Sequence, residues 1–174
     1  MSQALWVFGY GSLIWRPEFE YIEKRLATVY GYERRFCQAS HDHRGTQEAP
    51  GRVVTIVPSA DSQCTGIAYR LGNNAGAVLD YLEVREQDGY ERVNVPLCFD
   101  GNEGGVGLTW IATESNPSWR QNESLDQIAH LIATRTGPSG TNREYLFELE
   151  RALKSIQVQD LYVEMLSGKV RELL

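Results

Sequence analysis

Strands come first in this chain and helices last, and that order limits what its 174 residues can build. Residues 5–10 form an apolar run halted at Gly11, the pattern of a buried strand entering a loop. Residues 25–38 are β-branched and aromatic around Gly31, which reads as one bent strand or two. Residues 52–57 and 65–71 predict a strand pair around a polar turn at 58–63. Residues 90–99 and 106–113 predict another pair, joined by 100–105. One helix interrupts the series: Asn73 or Asn74 is placed to cap it, and Ala75, Val78, Leu79 and Leu82 recur at helical spacing. Helices then follow over 124–135, 142–155 and 160 to the C-terminus, with Gly137-Pro138-Ser139-Gly140 as a firm break. Regular alternation of strand and helix is missing, which disfavours a doubly wound parallel sheet. The order predicts an α+β fold, a sheet or small barrel flanked by helices, in a single domain over residues 1–174.

Charge and cysteine usage narrow the partners. A net charge of −6 and no dense basic run argue against nucleic acid or an anionic membrane surface. No stretch approaches the roughly 18 apolar residues of a membrane span. The stretch from Met1 to Trp6 lacks a basic segment followed by an apolar core, so no secretory signal is expected. Cys37, Cys64 and Cys98 are odd in number and widely spaced, without a CxxC pattern. They predict a reducing, cytoplasmic home and small buried apolar roles. No unpartnered apolar helix stripe stands out, and a monomer is expected.

Several segments concentrate chemistry. Phe8-Gly9-Tyr10-Gly11-Ser12-Leu13 begins like a dinucleotide-binding fingerprint, but Ile14 stands where the last glycine is required. A nucleophile elbow fails as well, because Leu13-Ile14 follows Ser12. What remains is a glycine-rich turn at the end of a buried strand. Its glycines serve either a close ligand approach with N–H groups offered to an anion, or a tight turn needing positive φ.

Ser40-His41-Asp42-His43-Arg44-Gly45 is densely polar, and on a strand His41 and His43 would share a face. No other segment supplies the third and fourth ligands, and His130 sits alone in a helix, so a solvated loop and no metal are expected. Nothing in the spacing requires a Cys–His nucleophilic pair. Further on, Thr141 or Asn142 can cap the helix that carries Tyr145, with Glu144 three residues after Thr141. Tyr145 shares a face with Leu149 and Ala152, so its ring reads as core. Its hydroxyl reaches a polar cavity or a single packed hydrogen bond.

The carboxylates of Tyr81-Leu82-Glu83-Val84-Arg85-Glu86-Gln87-Asp88-Gly89-Tyr90 are separated by helical phase. At about 100° per residue, Glu86 falls on the face of Ala75, Val78, Leu79 and Leu82, while Glu83 lies roughly a quarter-turn away. Gly89 reads as the helix stop. Glu86 is then a partly desolvated acid in the last turn, and burial with the negative helix end raises its pKa. The competing reading is a frayed helix with Glu86 in a surface ion pair with Arg85 or Arg92.

Taken together, these segments resemble the ChaC family of glutathione-specific γ-glutamylcyclotransferases. The match runs in order through Trp6-Val7-Phe8-Gly9-Tyr10-Gly11-Ser12-Leu13-Ile14-Trp15, Asp42-His43-Arg44-Gly45, Pro50-Gly51-Arg52-Val53-Val54-Thr55 and Gly66-Ile67-Ala68-Tyr69-Arg70-Leu71. It continues through Arg85-Glu86 with Gly89-Tyr90, then Gly137-Pro138-Ser139-Gly140 with Glu144-Tyr145-Leu146-Phe147-Glu148-Leu149. The resemblance implies a small mixed β-barrel flanked by helices, with glutathione as substrate and 5-oxoproline and cysteinylglycine as products. It further implies Glu86 as catalytic acid and base, no cofactor and no metal. Substrate-binding residues on that pattern are Val7, Phe8, Gly9, Tyr10, Gly11, Ser12 and Leu13, with Tyr145 lining the γ-glutamyl pocket. Some members carry acidic residues just before the catalytic helix, whereas here Gly72-Asn73-Asn74-Ala75-Gly76-Ala77 has none. An acid tuning substrate selectivity from that segment is therefore missing. Two alternatives stand beside this reading: a cyclotransferase for other γ-glutamyl-amino acids or amines, and a non-catalytic ligand-binding regulator.

Overall fold

The computed structural model describes residues 3–174, so Met1 and Ser2, where the stretch read for a leader begins, lie outside the described residues. Five strands close a barrel in the order β1-β3-β2-β4-β5. They are β1 (Trp6–Gly9), β2 (Glu23–Ser40), β3 (Gly51–Arg70), β4 (Glu91–Phe99) and β5 (Asn102–Ile111). The helices are α1 (Ala75–Arg85), α2 (Leu125–Thr134), α3 (Asn142–Ser155) and α4 (Leu161–Glu172), and β6 (Thr136–Gly137) pairs with β7 (Gly140–Thr141). The α+β barrel with helices therefore agrees with the order of elements along the sequence. Two compact units partition the chain: residues up to Glu33 with Ile56–Asn116, and Arg34–Thr55 with Pro117–Leu174.

In the first unit β1 is the hinge of the barrel's closure. It runs antiparallel to β3, from Trp6 opposite Arg70 to Gly9 opposite Ile67, and parallel to β5, with Val7 opposite Leu108. The predicted connection at 100–105 shrinks to Asp100 and Gly101, whose φ values of 50° and 79° are those of a two-residue hairpin turn. That geometry matches the right-handed strand twist, and an Asp-Gly pair is its sequence signal.

The polar turn expected at 58–63 does not form, because β3 runs unbroken through it. Pro58, Ala60, Asp61 and Gln63 are exposed strand residues. The Ser62 hydroxyl donates to Glu33 at 3.3 Å. A solvent-facing strand segment and a turn have the same composition, and only the long partner strand β2 distinguishes them.

Helix α1 lies against β1 and β5. Val78 and Leu82 are buried with Val7, Leu13, Leu71 and Trp110, and Phe19, Leu79 and Tyr90 pack at the margin. Asn74 takes the cap position, yet its side chain accepts no hydrogen bond from the helix, and its amide donates to Glu20 at 3.2 Å. Packing of one apolar stripe, more than capping, therefore holds this helix.

The second unit contains the last residues of β2, the first of β3, and α2, α3 and α4. Its helices are capped by side chains: Ser124 and Gln127 form a capping box on α2, and Thr141 and Asp160 cap α3 and α4. Ile132, Leu146, Leu149, Leu166 and Val170 are fully buried there. Glu150, itself buried, accepts hydrogen bonds from Lys154 at 3.2 Å and from Arg171.

Candidate active site

The strand β1 delivers its chain into a 3-10 turn at Ser12–Ile14, closed by the Ile14 N–H on the Gly11 carbonyl at 2.9 Å. Neither Gly9 nor Gly11 has positive φ, so a left-handed turn is not why glycine stands here. Gly9 is needed for close approach: a Cβ on it would lie 2.8 Å from the Leu13 Cβ. Two buried phenols fix the segment. Tyr10 donates to the Trp110 carbonyl at 2.5 Å, and Tyr69 donates to the Leu13 carbonyl at 2.6 Å. Burial pushes the Tyr69 phenol well above its ordinary pKa, which keeps it a donor. Val7 and Phe8 are fully buried, and the Phe8 carbonyl accepts from Thr109 at 2.9 Å. Their side chains are core, whereas the turn that follows carries the N–H groups that open a helix without an intrahelical acceptor.

Glu86 sits one residue beyond the last helical position of α1, and its N–H still reaches the Leu82 carbonyl at 2.9 Å. The helical phase read from the sequence thus carries through to it. Leu82, one turn earlier, is fully buried. The helix ends at Arg85 with Glu86 as its cap, and Gly89, expected as the stop, lies three residues further on with φ of 81°, with Asn116 donating to its carbonyl at 2.9 Å.

No ion pair or hydrogen bond to the Glu86 carboxyl is made by any described side chain. The two arginines weighed as surface partners are engaged elsewhere: Arg92 pairs with Glu83 at 3.0 Å, and Arg85 reaches the loop after β1. Although the residue keeps some exposure, burial of the carboxyl raises its pKa above the ordinary carboxylate range. The positive charge of Arg85 pulls the other way. Such a group is an acid or base in waiting, because neither of its protonation states is held by a partner.

Tyr145 lies in the second unit. Its ring is buried against Phe36 at 6.0 Å, its hydroxyl accepts from the Val54 N–H at 3.4 Å, and the Arg44 guanidinium lies 5.7 Å from the ring centre. Asp42 and His43 are exposed, as a solvated loop requires, but Arg44 is buried. It donates to the Thr141 carbonyl and to Glu144, each at 3.1 Å. Nearby, Arg52 forks onto Glu123 at 2.6 and 2.8 Å, and the buried Asn142 amide bonds both the N–H and the carbonyl of Arg52. The motifs around Arg44, Arg52 and Gly137 are thus brought together in this unit by hydrogen bonding. Among the described residues no three His, Cys, Asp or Glu side chains gather as a metal site would. Burial pushes the Cys37 thiol up to about 12, and none of the three cysteines is in a disulfide. A thiol so protonated is no nucleophile at neutral pH.

Reading the sequence singled out neither Tyr69 nor the partners of Arg85. Tyr69 looked like one more strand aromatic, and nothing local says that its hydroxyl holds a loop 56 positions earlier. The Trp110 indole N–H, buried in the cluster with Leu82 and Leu13, has no acceptor among the described residues.

The family model described as ChaC-like protein matches residues 5–173. A Schizosaccharomyces pombe protein named glutathione-specific gamma-glutamylcyclotransferase is 38% identical, over 97% of this chain and 93% of its own length. An Arabidopsis thaliana protein named gamma-glutamylcyclotransferase 2-3 is 39% identical, over 98% and 90%. Among solved structures, the crystal structure of a yeast γ-glutamyl cyclotransferase specific to glutathione superposes with a TM-score of 0.90. That pair shares 31% identity over 98% of this chain and 97% of the other.

Proposed function

The chain belongs to the ChaC-like protein family, and from that membership we propose that it cleaves glutathione by cyclising its γ-glutamyl end. The products are 5-oxoproline and cysteinylglycine. The observation that carries this reading is Glu86: a buried carboxyl of raised pKa, without a side-chain partner, at the end of the helix packed against the glycine-rich loop.

The reaction closes a five-membered lactam. The α-amine of the γ-glutamyl residue forms a bond to its own γ-carbonyl carbon, and the bond from that carbon to the cysteine nitrogen breaks. At neutral pH the amine is protonated and cannot attack. On its way to the lactam N–H the ammonium loses two protons: the Glu86 carboxylate takes one and delivers it to the departing nitrogen, and the other leaves to solvent. Redox balance is untouched, and the nucleophile belongs to the substrate. A raised pKa places Glu86 nearer the working pH, where one group can serve as base and then as acid. Backbone N–H groups of the loop from Gly9 to Leu13 hold the substrate carboxylate or the developing oxyanion. Most of the remaining rate gain comes from fixing a flexible chain in its cyclising conformer.

The reading extends to one domain acting as a cofactor-free cytoplasmic monomer. Three cysteines outside any disulfide support the reducing compartment, and strands β2 and β3, which each contribute residues to both units, support the single domain. Incubating purified protein with glutathione and measuring both products tests the activity, and γ-glutamyl-alanine in parallel tests the leaving group. Release of 5-oxoproline is expected from glutathione. Its absence there would overturn the substrate, and equal turnover of both compounds would overturn the specificity.

A further inference from the structure

We infer that Arg85 is a positioning residue that clamps the loop after β1 to the end of α1, so that the loop and Glu86 keep one fixed geometry. The inference rests on the reading of Glu86 and this loop as the site, and it adds a residue whose work is done through others. The Arg85 side chain is only 18% exposed, and its guanidinium is spent almost wholly on that loop. One terminal nitrogen donates to the Ser12 hydroxyl at 3.0 Å. The other donates to the Arg16 carbonyl at 2.8 Å and the Pro17 carbonyl at 3.2 Å. Glu18 adds a charge 3.7 Å away, and Tyr81, one turn back on α1, donates to the same Glu18 carboxylate at 3.1 Å. A hydrogen bond from Arg16, then that from Tyr81, holds the Glu18 carboxyl below its usual range, so it stays ionised beside the clamp.

The residue type fits the task. A planar fork can meet a hydroxyl and two carbonyls at once, whereas an ammonium is a single point of charge on a flexible stem. Position matters as much. Arg85 is the last helical residue and Glu86 the next, so a displacement of the loop relative to Arg85 is a displacement relative to Glu86. Misplacement by about 1 Å in such a site costs up to about a hundredfold in rate. Tyr69 pins the Leu13 carbonyl from the barrel side at 2.6 Å, and Arg85 pins Ser12 and the two residues after Trp15 from the helix side. The turn is held between them.

Two measurements on R85A and R85K, with E83Q as a control on the same helix, test the clamp. Amide hydrogen exchange over residues 11–18 should quicken by about tenfold or more in R85A, while residues 75–84 stay protected. In steady-state assays with glutathione, kcat/KM should fall by about ten- to a hundredfold at an unchanged fraction of folded protein. R85K should recover part of each effect, and E83Q should alter neither. Unchanged exchange in R85A overturns the inference. Faster exchange with an unaltered kcat/KM overturns the positioning role and leaves Arg85 a structural residue only. If wild-type protein releases no 5-oxoproline from glutathione, the substrate reading fails, and exchange alone still decides whether the clamp exists.

Discussion

Replacing Glu86 by Gln removes the proposed proton shuttle and almost nothing else. The amide has the same shape as the carboxyl, so no cavity opens below it. Glu86 makes no ion pair or side-chain hydrogen bond among the described residues, so none is lost. General acid–base catalysis contributes about 10²–10⁴-fold, or about 3–5.5 kcal/mol of barrier. The loss should fall at the upper end, because one carboxyl serves both proton transfers and the charge nearest in sequence, Arg85, cannot deprotonate.

Stability should move the opposite way. Burial raises the folded-state pKa of Glu86, so the folded protein bears a cost for the ionised form at any pH above that value. The cost fades as pH falls through the folded pKa towards the unfolded one. E86Q should accordingly be at least as stable as wild type at pH 8, and the difference should shrink in acid. The assays are 5-oxoproline release under saturating glutathione and urea unfolding followed at both pH values. Near-wild-type turnover would refute the assignment, and a mutant less stable at pH 8 would refute the account of its environment.

Other outcomes follow from the same geometry. In wild type, kcat/KM should fall as pH drops through the raised Glu86 pKa, since the base must be ionised; an acid limb at ordinary carboxylate pH would contradict the burial. Tyr69→Phe leaves the buried Leu13 carbonyl without its 2.6 Å donor and should cost about 1–3 kcal/mol by urea titration. Leu82→Ala empties a fully buried position between α1 and β1 and should cost about 2–5 kcal/mol, with turnover falling because Glu86 ends that helix.

How much was legible beforehand differs between parts of the molecule, and the reason is range. Periodicity and punctuation determined the helices, the Thr141 cap and the order of elements, because those signals act over a few residues. Phase alone put Glu86 on the buried face with Leu82. Motifs matched along nearly the whole sequence pointed to the family. Other features needed contacts between distant residues. The segment at 58–63 is strand because β2 lies beside it, and its composition fits a turn just as well. Gly9 is glycine because Leu13 folds back onto it, without any positive φ. Arg44 left the solvated loop for a buried place between Thr141 and Glu144 once α3 gave it acceptors. Arg85 looked like a possible ion-pair partner for the residue beside it, and the fold turned it to a loop about 70 positions away. Sequence by itself pointed to Glu86 as the residue proposed to carry the proton. Tertiary structure decided what leaves that carboxyl without a partner, because a partner is taken or withheld only when distant segments meet.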